Sequence, residues 1–208
     1  MKTHMRVSFI FSSIGLCVLL GLLISQSFTT TDEIPAKRQT ADIGRTFELV
    51  DDAGLRVTQD NLKGHYSLIY FGFTYCPDVC PTALDIMGGA LDALQQRDAI
   101  AHERLQPVFI SVDPARDTPP VLRDYLAYFH PRLSGLTGSQ ADIDAVKSAF
   151  KIYAARGAAE DENGNYNVDH SSFFYLMDEN NRYLAHFDHA ITPEILAEKL
   201  AEKLSEER

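Results

Sequence analysis

Phe71-Gly72-Phe73-Thr74-Tyr75-Cys76-Pro77-Asp78-Val79-Cys80-Pro81 sits where an apolar, aromatic-rich run gives way to a helix-like pattern. Upstream, Ser67 to Phe73 is a β-rich aromatic run. Downstream, Leu84, Met87, Leu91 and Leu94 recur at spacings of three and four, the apolar stripe of a helix. The stretch therefore reads as strand, turn, helix. Proline is tolerated at the first helical position, so Pro81 predicts the helix start, with Cys80 at its cap and Cys76 in the preceding turn. Gly88 and Gly89 weaken the middle of this helix and suggest close backbone packing there.

Working outward, Phe47–Val50 and Arg56–Thr58 flank Asp51-Asp52-Ala53-Gly54 and predict an N-terminal hairpin. Past the cysteines the pattern predicts a strand at Pro107–Val112, a helix at Pro119–Phe129, a short strand at Leu133–Leu136 and a helix at Asp142–Tyr153. Strands follow at Tyr166–Val168, Phe173–Met177 and Arg182–Phe187, and a helix at Glu194–Leu204 closes the chain. Alternating strands and helices followed by a hairpin imply an α/β domain, a central mixed sheet flanked by helices.

The chain has 208 residues, 45% of them hydrophobic, which is room for one domain with a proper core. A formal net charge of -10 without a Lys/Arg cluster argues against a nucleic-acid partner, which needs a concentrated basic face. Val7–Ile24 is uncharged and about as long as a membrane crossing. Lys2 and Arg6 precede it while Asp32 and Glu33 follow, so the positive-inside bias keeps residues 1–6 cytoplasmic and exports the rest. No Ala-x-Ala site follows Ile24, which favours a retained anchor at 7–24 over a cleaved signal peptide. Residues 25–41 read as a polar tether and 42–208 as the functional domain. Without an Arg-rich transit segment, the expected setting is a bacterial inner membrane with the domain in the periplasm.

Cys17 lies inside the apolar segment and reads as a small membrane-helix residue, leaving Cys76 and Cys80 in the exported part. A thiol at a helix N-terminus has its pKa drawn down, and the thiolate both attacks disulfides and binds soft metals. Three residues separate Cys76 from Cys80, against two in thioredoxin-type motifs, so a redox-active disulfide is allowed but not specifically signalled. As a metal site, the pair suits Cu(I), zinc or an iron–sulfur cluster. A cluster needs more cysteines, and a structural zinc site ordinarily takes four Cys/His ligands. Copper held by two sulfurs and one imidazole is the economical solution.

That imidazole would come from His65, His102, His130, His170, His186 or His189. Spacing does not choose among them. His102 and His130 read as solvated helix ends. His170 precedes the apolar run Phe173-Phe174-Tyr175-Leu176, where the start of an antiparallel neighbour would face the thiols, with Asp169 or a backbone carbonyl orienting its ring. A histidine at a strand start is ordinarily structural. Asp113 and Asp117 end another predicted strand, and Asp117-Thr118-Pro119 has the form of a helix cap.

Phe71 to Pro81, then Ser111-Val112-Asp113-Pro114-Ala115-Arg116-Asp117-Thr118-Pro119, then Val168-Asp169-His170-Ser171, in that order, closely resemble the SCO/SenC family. The resemblance implies a thioredoxin-like fold in a membrane-tethered exported domain. It also implies copper bound by Cys76, Cys80 and His170, in a metallochaperone that assembles the binuclear copper centre of cytochrome c oxidase. By the same resemblance, His170-Ser171 take the slot of the thioredoxin cis-proline loop. The expected partner is the oxidase subunit carrying that centre, with other periplasmic copper or thiol-redox proteins as further candidates. The expected role is not catalytic. The competing reading is a thiol-disulfide oxidoreductase in which Cys76 and Cys80 reduce the cysteines of an oxidase copper site or act in redox signalling.

Overall fold

The computed structural model describes residues 43–44, 46–160 and 166–206. The expected anchor at 7–24 and tether at 25–41 lie outside these residues. Among the described residues no helix is long and apolar enough to cross a membrane.

The N-terminal hairpin is formed by β1 (Glu48–Asp51) and β2 (Arg56–Thr58), joined by a turn in which the Asp51 carboxylate accepts from the Ala53 and Leu55 amides. A 3-10 turn at Gln59–Leu62 follows, and then β3 (Tyr66–Gly72), whose seven residues are all buried. Helix α1 (Val79–Arg97) leads through a short α2 (Ala99–Arg104) to β4 (Leu105–Ser111), which pairs with β3 in parallel. After α3 (Pro119–Leu126), β5 (Ser134–Thr137) extends the parallel set. Helix α4 (Gln140–Phe150) opens with a Ser139/Asp142 capping box and ends at Lys151 in the left-handed conformation. Strands β6 (Ala154–Glu160) and β7 (Tyr166–His170) pair only with each other, whereas β8 (Phe173–Met177) and β9 (Tyr183–Asp188) rejoin the main sheet before α5 (Pro193–Glu206).

The seven-stranded sheet runs β2-β1-β5-β4-β3-β8-β9, parallel among β5, β4 and β3 and antiparallel elsewhere. Its centre is covered on both sides, because consecutive residues of β3 are buried on opposite faces. Tyr70 packs on Phe109 and Phe174, while Phe71 meets Phe150 of α4 and Tyr175. Helices α1 and α5 pack together, and a Cβ at Gly89 would sit 3.1 Å from Pro193, so the small residues in α1 do mark close packing.

Three expectations need correction. The first helix begins at Val79, not Pro81, so Cys80 and Pro81 lie in its first turn. Proline is accepted there because a first-turn N–H has no intrahelical partner. His102, which reads as a solvated helix end, lies instead within α2, which is capped by the Asp98 carboxylate. His102 is therefore buried, at 5% exposure, and the His130 side chain is only 12% exposed. Strand β6 was not foreseen, because Ala-Ala-Arg-Gly-Ala-Ala-Glu has neither alternation nor β-branched residues.

Candidate metal centre

Cys76 and Cys80 are free thiols at the carboxyl end of β3. The N-cap residue of α1, Asp78, makes no side-chain capping bond. The sulfur of Cys76 instead accepts the Cys80 backbone N–H at 3.4 Å, doing the work of a cap on an orphan helix donor. A donated hydrogen bond from the Cys80 thiol is the main force drawing the Cys76 pKa down to about 5; burial opposes it, and the Asp78 and Cys80 amides assist. Cys80 shows the opposite response. The neighbouring Cys76 sulfur first, and then burial, push its thiol far up. One cysteine is thus activated, not both.

Cys80 is fully buried. Its place depends on Gly72, where an added Cβ would lie 2.7 Å from Cys80 Sγ and 2.8 Å from Phe109. Tyr70, also fully buried, supplies a phenol beside the same sulfur, and burial holds that phenol protonated. Sequence reasoning missed Tyr70 because an aromatic residue inside a β-rich run looks like ordinary core.

The β6–β7 hairpin brings His170 to the cysteines. His170 Nε2 is 3.6 Å from Cys80 Sγ, and its ring meets Phe73 edge-on at 5.6 Å between centroids. Nδ1 lies 3.1 Å from the Val168 carbonyl oxygen, so Nδ1–H donates there and the Nε2 lone pair faces the sulfur. The carbonyl, not Asp169, orients the ring, since Asp169 is on the exposed face of β7. His170 ends β7, where the sequence suggested the start of the next strand. Of the other candidates, His65 and His186 are exposed, and His189 Nδ1 lies 3.1 Å from the Ser172 carbonyl oxygen. A cavity of about 230 Å³ opens between the cysteine loop and β7, with Cys76, Asp78, Asp169 and His170 in its walls.

Asp117 does not cap a helix. It is fully buried, and its carboxylate accepts from the Thr74 amide at 3.1 Å, the Thr74 hydroxyl at 2.6 Å and the Ser111 hydroxyl at 2.6 Å. The Thr118 cap of α3 makes no side-chain bond. Burial raises the Asp117 pKa against these hydrogen bonds. Asp113 accepts from Arg116 and from the Tyr166 hydroxyl.

Among the described residues no group of three or more His, Cys, Asp or Glu side chains is placed so that it could hold a metal ion as it stands. The Cys76 sulfur is nonetheless bonded to the Cys80 amide and the His170 Nε2 lies 3.6 Å from Cys80 Sγ, and two sulfurs with an imidazole are a soft donor set of the kind that Cu(I) takes.

A model of the SCO1/SenC family matches residues 35–205. A SCO2-like protein of Rickettsia felis is 43% identical over 193 residues, covering 90% of this chain and 92% of its own. ScoI of Bradyrhizobium japonicum, solved with copper bound, is 40% identical with a TM-score of 0.69, over 77% of this chain and 99% of that one. BsSco, solved in work on a disulfide switch and described as a member of the Sco family of cytochrome c oxidase assembly proteins, is 25% identical with a TM-score of 0.61, over 78% and 92% of the two chains. With the family pattern running through nearly the whole domain, the chain belongs to the SCO1/SenC family.

Proposed function

We propose that this protein is a membrane-anchored periplasmic copper chaperone that carries copper on the Cys76 and Cys80 thiolates and His170 Nε2 for assembly of the binuclear copper centre of cytochrome c oxidase. The observation that carries the reading is the 3.6 Å approach of His170 Nε2 to Cys80 Sγ, with Nδ1 tied to a backbone carbonyl. That tautomer leaves a lone pair where a soft cation would sit, and a buried partner on the second nitrogen is the usual support of a ligating histidine. Copper takes the place of the Cys80 proton. The copper-bound relative and the oxidase-assembly role stated for BsSco support the same reading. Residues 7–24 would hold the domain at the membrane, with 25–41 as its tether.

The test is copper stoichiometry of the reduced full chain, alongside Cys76→Ser and His170→Ala. One Cu(I) per chain is expected, weakened about 10-fold or more by either substitution, in line with the loss of a ligand or its support. Full affinity in His170→Ala would overturn the site.

A second reading rests on the unequal thiols. A Cys76 pKa of about 5 beside a buried, high-pKa Cys80 is the asymmetry of an attacking and a resolving cysteine. Cys76 thiolate attacks a partner disulfide and forms a mixed disulfide. Cys80, giving up its proton, then attacks Cys76 and releases the partner as a dithiol, two electrons having passed to it. The disulfide has no thiolate to offer copper, so the two activities alternate on one site. A His170→Ala chain that loses copper yet still supports oxidase assembly would favour the reductase.

A further inference from the structure

The histidine-bearing hairpin is a separate two-stranded sheet, and among the described residues no backbone ladder joins β6 or β7 to the central sheet. At its root, the Ser171 amide donates to the Tyr153 carbonyl, and the Tyr153 amide donates to the Ser171 hydroxyl. Farther out, its placement falls to side chains. Along β7, Tyr166, Val168 and His170 share the inward face, while Asn167 and Asp169 are exposed. Tyr166 and His170 are therefore two ends of one rigid edge, about 13 Å apart at the usual strand rise.

Tyr166 is held from three directions. Its hydroxyl donates to Asp113 Oδ1 at 2.7 Å. The Arg116 guanidinium carbon lies 3.7 Å from its ring centroid and that of Arg156 lies 3.6 Å from it. Two planar cations cannot share one side of a ring at those distances, so they cover opposite faces. Arg116 Nε is bonded to Asp113, and its Nη1 and Nη2 are buried without a hydrogen-bond acceptor among the described residues. They are turned instead toward aromatic faces, since the same guanidinium lies 4.7 Å from Tyr75 and 5.7 Å from Phe73. Phe73 in turn touches the His170 ring. Arg116 thus contacts both elements that bear candidate ligands, the cysteine loop and the histidine hairpin.

We propose that Tyr166, clasped between Arg116 and Arg156 and bonded to Asp113, is a positioning residue that holds β7 so that His170 meets Cys80. This rests on the reading of His170 as a copper ligand. The clasp fixes the strand, the strand fixes the Val168 carbonyl, and that carbonyl sets the tautomer and plane of the imidazole.

The test is Cu(I) affinity of the reduced full chain, by competition with a chromogenic Cu(I) chelator, in Tyr166→Leu, Tyr166→Phe and Arg156→Gln, each also combined with His170→Ala. Tyr166→Leu is expected to weaken copper about 10-fold or more, the usual cost of losing a ligand's support. Tyr166→Phe keeps the stacked ring and should stay within about threefold of the parent, with Arg156→Gln between the two. In the His170→Ala background all three should change nothing further, because a clasp that acts only through His170 has nothing left to position. Arg156 is exposed, so Arg156→Gln keeps the cycle readable should Tyr166→Leu fail to fold. Equal affinity in Tyr166→Leu or, if it does not fold, in Arg156→Gln overturns the clasp, as do losses that simply add to that of His170→Ala. Unchanged affinity in His170→Ala alone overturns the ligand assignment itself.

Discussion

Thr74 and Asp117, 43 positions apart, are joined by two hydrogen bonds, from the Thr74 amide and hydroxyl to the two oxygens of one buried carboxylate. The link ties the loop that carries Cys76 to the end of β4. Asp117→Ala would leave the Thr74 amide and the Ser111 hydroxyl without their acceptor, a loss of about 1–3 kcal/mol. Urea unfolding monitored by far-UV circular dichroism measures it. A variant as stable as its parent would show that water replaces the carboxylate.

The same carboxylate has a pH signature. Its folded pKa is raised by burial, so its contribution to stability is fullest below the ordinary value of 3.8 and is lost as pH rises through the folded value. Asp117→Asn cannot ionise. The stability of Asp117→Asn relative to the parent should therefore rise with pH across that window and level off above it, read from paired unfolding curves at several pH values.

Gly72→Ala places a methyl group 2.7 Å from Cys80 Sγ and 2.8 Å from a Phe109 ring carbon. Overpacking of this kind costs about 1–3 kcal/mol. Combining it with Cys80→Ala removes the sulfur half of the clash and should recover part of the loss. Purely additive unfolding energies would place the strain on Phe109 alone.

Alkylation should distinguish the two thiols. With Cys76 near pKa 5 and Cys80 pushed far up, iodoacetamide should modify Cys76 with a rate that is half-maximal near pH 5, while Cys80 stays unmodified. Cys80→Ala deletes the leading stabiliser of the Cys76 thiolate, so the midpoint should move up. Peptide mapping separates both from Cys17.

Copper uptake should release protons in a pH-dependent number. At pH 7 Cys76 is already a thiolate and Cys80 is not, so the two thiols should give up about one proton per Cu(I) between them. Titration in weakly buffered solution counts them. Two protons at pH 7 would mean that Cys76 is not activated.

Much of this was legible in residue order. A continuous β-rich apolar run giving way to apolar residues at spacings of three and four marks a strand running into a helix in any aqueous globular protein, because apolar faces must be buried wherever they fall. The hairpin at Asp51–Gly54 and the strands on either side of Asp178–Asn181 follow from turn chemistry in the same local way. Strand β6 was not legible: its small and charged residues carry no alternation, and it forms because β7 offers it a partner.

The pair of thiols, their place at the strand-to-helix junction and their soft-metal chemistry were determined by the sequence alone, since all three depend on neighbours along the chain. The tertiary structure decided which thiol is activated, which carbonyl turns the imidazole, and that Asp117 binds Thr74 instead of capping a helix. The last of these spans 43 residues across the fold, while the first two lie within four residues and depend on the exact backbone geometry of the helix start and of β7. His170 and Cys80 are 90 residues apart in the chain, and no spacing rule states that a hairpin outside the main sheet brings them within 3.6 Å.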